Sequence, residues 1–166
     1  MTQRTRILIA AGVLLVLVAV VLGIDALQRA SGEPAAEGEP TVVPGAIPIR
    51  LDGKLVGSFT PADLGRLEKV SFVEPEEGKT QEGWLLCDVI RLYVEPEKLT
   101  GTLVTVSSSS RDKSAQVTWD EVDRTENYVM FDLSNRGTLK LVSVLPKLDT
   151  RDEWVQDVDG IEVAHP

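Results

Sequence analysis

Hydrophobic positions change their pattern twice along this chain. From Ile7 to Ile24 the sequence reads ILIAAGVLLVLVAVVLGI, eighteen residues without a charge. As a helix this run is about 27 Å long, close to a hydrocarbon core of about 30 Å. A buried helix of a soluble protein is rarely apolar on every face. The run therefore predicts a membrane-spanning helix. Arg4 and Arg6 precede it and Asp25 follows it. The basic flank favours the cytoplasm, which places the rest of the chain outside. We expect a cytoplasmic N-terminus over residues 1–6 and a transmembrane signal anchor over residues 7–26. The rival reading is a cleaved signal peptide, whose apolar region is usually about 7–15 residues and ends at small residues. A cut after Ala26 or Ala30 would put Ile24 or Gln28 where a small residue is needed.

Residues 27–44 form the second pattern. They contain Gly32, Glu33, Pro34, Gly38, Glu39, Pro40 and Pro44 and few large apolar side chains. Such a stretch cannot build a core and reads as a linker.

Residues 45–166 carry the alternations and short periodic runs of a folded domain. Ile47 to Leu51 and Leu55 to Phe59 read as strands joined at Asp52-Gly53, a hairpin-type turn. Thr60-Pro61-Ala62-Asp63 marks the start of a short helix ending near Leu67, with Thr60 as cap and Pro61 in the first helical position. Lys69 to Val73 reads as a strand and Glu74 to Glu82 as an acidic loop. Trp84, Leu85, Val89, Ile90 and Leu92 suit one face of a helix. Leu103 to Val106 and Ala115 to Val117 read as a strand pair joined through Ser107 to Lys113. Thr118-x-x-Glu121 has the pattern of a capping box. Tyr128 to Phe131 and Leu139 to Val144 are strands, and Val155 to Val163 closes the sheet. The order is ββαβαββαβββ, a mixed α+β domain. Leu139, Leu141, Val142, Val144 and Ile161 are expected in its core.

Composition narrows the partners. The chain has 166 residues and a formal net charge of -9, and the part after residue 24 carries 15 basic and 26 acidic side chains. Nucleic-acid binders use Lys and Arg to neutralise phosphates, so no nucleic-acid partner is expected. The same charge argues against docking on anionic lipid beyond the anchor itself.

Candidate chemistry is sparse. Cys87 is the single cysteine, which excludes an intramolecular disulfide and any CxxC motif. On an apolar helix it reads as a small buried hydrophobe rather than a reactive thiol. His165 is the single histidine and stands next to the last residue, in an expected mobile tail that leaves no His-based nucleophile system. There is neither a GxxxxGK[ST] nor a GxGxxG motif. Acidic residues gather at Glu74, Glu76 and Glu77 and at Asp149, Asp152, Glu153, Asp157 and Asp159. They read as solvated surface charge, with Asp157-Val-Asp159-Gly160 only a fragment of a calcium loop. Arg111 and Lys113 in the Ser107 to Lys113 segment could meet an anion, but read first as an exposed hairpin tip. No catalytic or metal-ligating residue is assigned.

Four stretches together resemble a known family. Phe59-Thr-Pro-Ala-Asp-Leu64 is similar to a short "sxxdL" helix before a strand. Gly83-Trp-Leu-Leu-Cys-Asp-Val-Ile90 is similar to a "GvpLrdlL" segment. Gly137-Thr-Leu-Lys-Leu-Val-Ser-Val-Leu-Pro146 is similar to a "GxPlRlvvP" strand. Trp154-Val-Gln-Asp-Val-Asp-Gly-Ile-Glu-Val163 is similar to a "wvkwvtxIev" ending. Their order resembles the oxidoreductase molybdopterin-binding domain, the cofactor domain of the sulfite-oxidase family. In that family a cysteine thiolate before the "GvpL" segment ligates molybdenum. Here that region is Val70-Ser-Phe-Val-Glu-Pro-Glu-Glu-Gly78, without a cysteine, and Cys87 falls in the following helix. The family's Gly-rich and His/Arg pterin contacts have no counterpart either.

The resemblance thus implies a degenerate member of that fold without the molybdenum-ligand cysteine. The expected function is that of a membrane-anchored extracytoplasmic binding or accessory module with no cofactor of its own, partnered by a protein of a membrane complex. Two alternatives stand beside it: a molybdopterin-dependent oxidoreductase subunit with other cofactor contacts, and a structural partner in a membrane complex.

Overall fold

The computed structural model describes residues 42–166. The expected anchor at residues 7–26 and most of the linker lie outside the described residues. Among the described residues no helix is long and apolar enough to cross a membrane.

The chain builds two five-stranded sheets. Strands β1 (Ile47–Leu51), β2 (Lys54–Phe59), β5 (Leu103–Ser108), β6 (Lys113–Thr118) and β10 (Gly160–Ala164) form the first, in the order β2-β1-β10-β5-β6. β1 and β10 run parallel and the other pairs antiparallel, so this sheet is mixed. Strands β3 (Val70–Val73), β4 (Thr80–Leu85), β7 (Met130–Leu133), β8 (Leu139–Val142) and β9 (Val155–Gln156) form the second, in sequence order and wholly antiparallel. Two short α-helices, α1 (Leu86–Arg91) and α2 (Trp119–Asp123), complete the α+β domain with several 3-10 turns. One core joins the sheets: Phe59 of β2 meets Phe131 of β7 with ring centroids 6.1 Å apart.

Several sequence expectations need correction. The predicted closing strand Val155 to Val163 is two strands in two different sheets. Asp157 turns the corner between them with φ of 56°, a left-handed conformation that Asp tolerates better than most residues. Glu74 to Glu82 is not all loop. The chain turns back at Glu74–Gly78 and pairs with β3 from Thr80 onward, forming a hairpin. Trp84 and Leu85 therefore end a strand, and α1 begins only at Leu86. Their helical spacing is outweighed by the β4–β7 ladder, in which Trp84 faces Phe131 and Leu85 faces Met130. Tyr128 stands outside β7 in a left-handed conformation. Val144 stands outside β8 and is exposed, not in the core, whereas Leu139, Leu141, Val142 and Ile161 are buried.

The capping signals hold. The Glu121 N–H donates to Thr118 Oγ1, and the Thr118 N–H and hydroxyl both donate to Glu121 Oε2. At Thr60 the carboxylate half of the box is the same, without the return bond from the Asp63 N–H to the Thr60 hydroxyl. The Asp63 carboxylate accepts from both the N–H and the hydroxyl of Thr60, and the helix it starts, Pro61–Arg66, is a 3-10 helix.

Candidate functional site

Neither of the two residues with intrinsic reactivity stands in a catalytic arrangement. Cys87 is fully buried in the first turn of α1. Burial, reinforced by the neighbouring Asp88 carboxylate, pushes its thiol up to about 11. It is a core side chain, held as a neutral thiol. His165 is not in a free tail. Its N–H donates to Asp52 Oδ1 at 2.9 Å, and its Nδ1 lies 3.1 Å from Asp52 Oδ2, which fastens the end of β10 to the β1–β2 turn. The His165 backbone and side-chain hydrogen bonds hold the Asp52 carboxyl below its ordinary value.

The acidic groups divide into solvated and anchored ones. Asp157 is anchored. Arg136 Nη2 donates to both its oxygens at 2.9 and 3.0 Å, Arg111 Nε donates at 2.7 Å, and the Thr138 hydroxyl at 2.7 Å. Thr138 and Arg111, followed by Arg136, keep its carboxyl below the usual range against desolvation. Arg111 comes from the β5–β6 turn of one sheet and Arg136 from the β7–β8 turn of the other, so Asp157 pins the sheets together at the corner where the chain changes sheets. Beside it Asp159 accepts from the Ser109 N–H. Lys113 donates to the Asp152 carbonyl. The cations of the Ser107 to Lys113 segment are therefore engaged within the domain. Among the described residues no group of three or more His, Cys, Asp or Glu side chains is placed to hold a metal ion.

Glu74 directly follows β3, within the Val70 to Gly78 stretch where the resemblance would call for a metal-binding thiolate. Its side chain is fully buried. One oxygen accepts the Glu77 N–H at 3.0 Å, closing the turn that also carries the Gly78 N–H to Glu74 carbonyl bond. Its second oxygen, Oε2, has no hydrogen-bond partner among the described residues. Arg151 approaches with Nε 4.0 Å from Glu74 and Nη1 3.0 Å from Glu77. A buried, hard carboxylate does not supply the soft thiolate that a molybdenum centre of that kind takes. The one thiol sits in the core on α1. The residues present do not fit the group.

A polar groove of about 620 Å³ opens next to this turn. Register explains its floor. Asp132, Lys140 and Gln156 are successive partners across β7, β8 and β9, so their side chains share one face of the sheet. The neighbouring row, Trp84, Phe131, Leu141 and Val155, takes the opposite, buried face. Lys140 is the centre of the groove. Its Nζ forms an ion pair with Asp132 at 2.9 Å, donates to Gln81 Oε1 at 2.8 Å, and lies 5.0 Å from the Trp154 ring centroid. Arg151 lies over the same ring at 5.9 Å. Trp154 is fixed in turn by its indole N–H, which donates to the Leu148 carbonyl.

None of these groove residues stands out in the sequence as a site. Lys140 and Asp132 are single charges inside apolar strands, and that is the only local signal they give. Their convergence depends on strand register and on the 145–154 loop folding back with Trp154.

No family model matches this chain, and no curated protein matches it.

Proposed function

We propose that this chain is a binding or accessory module with a fold of the molybdopterin-oxidoreductase kind, held outside the cytoplasm by its N-terminal helix and carrying no molybdenum of its own. The observation that carries this reading is the chemistry at the end of β3. The Val70 to Gly78 stretch, where the resembled family carries its thiolate, holds no cysteine here, and its buried Glu74 is closed into its own turn and faces Arg151. Cys87 offers no substitute, because it is buried and its thiol is pushed up to about 11. A fold can outlive the site it once carried, since packing and site chemistry are separate demands. The polar groove beside Glu74 gives a binding module a surface to work with.

Elemental analysis for molybdenum and analysis for released pterin, on protein isolated from its own membrane, test the reading. The expected result is no stoichiometric metal or pterin. Stoichiometric molybdenum would overturn it in favour of an oxidoreductase subunit. Protease accessibility from the outer side only, with the protein retained in the membrane fraction, tests the topology. A soluble mature form would sink the anchor.

A further inference from the structure

The groove floored by Lys140 differs in charge from the rest of the domain. Its lining holds three cations, Lys79, Lys140 and Arg151, and one carboxylate, Asp132, in a chain of net charge -9. An ammonium has three N–H donors. Lys140 donates one to Gln81 and forms an ion pair with Asp132, which leaves at least one. Its position is built rather than loose: its side chain is 21% exposed and the Trp154 ring supports it from one side. Gln81 is 4% exposed and its oxygen is taken by Lys140. The Gln81 amide nitrogen has no hydrogen-bond partner among the described residues. Arg151 Nε is buried and has no hydrogen-bond partner among the described residues. Arg151 and Lys79 are both held from the rim by Glu77, at 3.0 and 2.5 Å. Glu77 is 44% exposed, and such solvent-facing pairs are readily exchanged because each contributes little.

We infer that this groove binds a small soluble oxyanion, a carboxylate or phosphate compound, through Lys140, Gln81 and Arg151. This rests on the binding-module reading and names the ligand class for it. The incoming oxygens take the remaining Lys140 N–H, the free Gln81 amide and the guanidinium of Arg151, and Glu77 yields its hold on Arg151. Charge-assisted hydrogen bonds of this kind are about twice as strong as neutral ones and tighten in a partly enclosed site. The groove remains hydrated and polar, with Ser134, Asn135 and Gln156 along its walls.

The test uses the full chain in phosphatidylcholine nanodiscs, titrated by calorimetry with inorganic phosphate, with citrate and with glucose as an uncharged control. Phosphate or citrate is expected to bind and glucose not. Lys140→Met and Arg151→Gln should each weaken anion binding about tenfold. Lys140→Met strands Asp132, so the pair Asp132→Asn with Lys140→Met removes both partners and should fold while also losing the anion. Binding of glucose but of neither anion would overturn the proposal. So would unchanged anion affinity in correctly folded variants. If nanodiscs with added phosphatidylglycerol block citrate, the groove takes a lipid headgroup instead of a solute, which also overturns it. A protein partner captured on this face with no anion bound refutes the oxyanion while leaving the binding-module reading standing.

Discussion

Gly83 of β4 packs against the backbone of Phe131 so closely that a Cβ on it would overlap the Phe131 carbonyl group, 2.6 Å from the carbonyl carbon. Backbone cannot move aside as a flexible side-chain tip can. Gly83→Ala must therefore push β4 and β7 apart where Trp84 and Leu85 enter the core. Overpacking at such a position costs about 1–3 kcal/mol. Urea denaturation should show this loss, while Gly65→Ala, at a position with open space around it, should stay near the parent. Equal midpoints for the two variants would refute the close approach.

Cys87 gives a second prediction. A thiol with a pKa of about 11 is ionised at about pH 8 to roughly one part in a thousand, against roughly one part in four for an ordinary thiol. Alkylation of the native protein should be at least about a hundredfold slower than after denaturation. Cys87→Ala should fold normally and lose about 1 kcal/mol, the scale for removing one buried sulfur. Native and denatured rates within a few-fold of each other would contradict the buried neutral thiol.

The difference between what the chain announces and what only the fold reveals is physical. Local signals are legible: Asp52-Gly53 turns a hairpin, Thr118 and Glu121 cap each other, and the Leu103 and Ala115 strands pair as their alternation implies. The Trp84 to Leu92 run misleads because strand and helix periodicities coincide over its first residues, and only the partner strand β7 decides between them. Asp157 and Glu74 read as solvated charge because their partners are remote in sequence. Arg111 is 46 residues from Asp157, and in sequence both α-helices come between Glu74 and Arg151. The groove is hidden for the same reason. Gln81 and Lys140 are 59 residues apart, and no local rule sets their register.

Asp157 makes stability depend on acid. Its folded carboxyl lies below the ordinary value because Thr138, Arg111 and Arg136 favour the charged form. In the unfolded chain the same group titrates near about pH 4. A depressed folded pKa means that its contribution is fully present above the unfolded value and is lost as pH falls through the folded one. Thermal unfolding followed downward from about pH 6 should fall in this window. Asp157→Asn should lower the melting temperature at neutral pH and flatten the acid-side decline. An unchanged acid profile in that variant would place the acid sensitivity elsewhere.

Glu74 separates the charge of a buried carboxylate from its geometry. Oε1 accepts the Glu77 N–H inside the turn, and the side chain has no exposed surface. Glu74→Ala removes that acceptor and leaves a void beneath the turn, a combination that costs about 2–4 kcal/mol. Glu74→Gln keeps the acceptor and the volume and removes the charge facing Arg151. Burying a charge whose second oxygen has no hydrogen bond is costly, so its loss offsets much of the weakened attraction to Arg151. Glu74→Gln should therefore stay within about 1 kcal/mol of the parent. Amide exchange gives the sharper readout: the Glu77 N–H should remain protected in Glu74→Gln and exchange freely in Glu74→Ala. If Gln proves as damaging as Ala, the negative charge itself is required beside Arg151, and Glu74 is part of the groove's electrostatics rather than only the keystone of its turn.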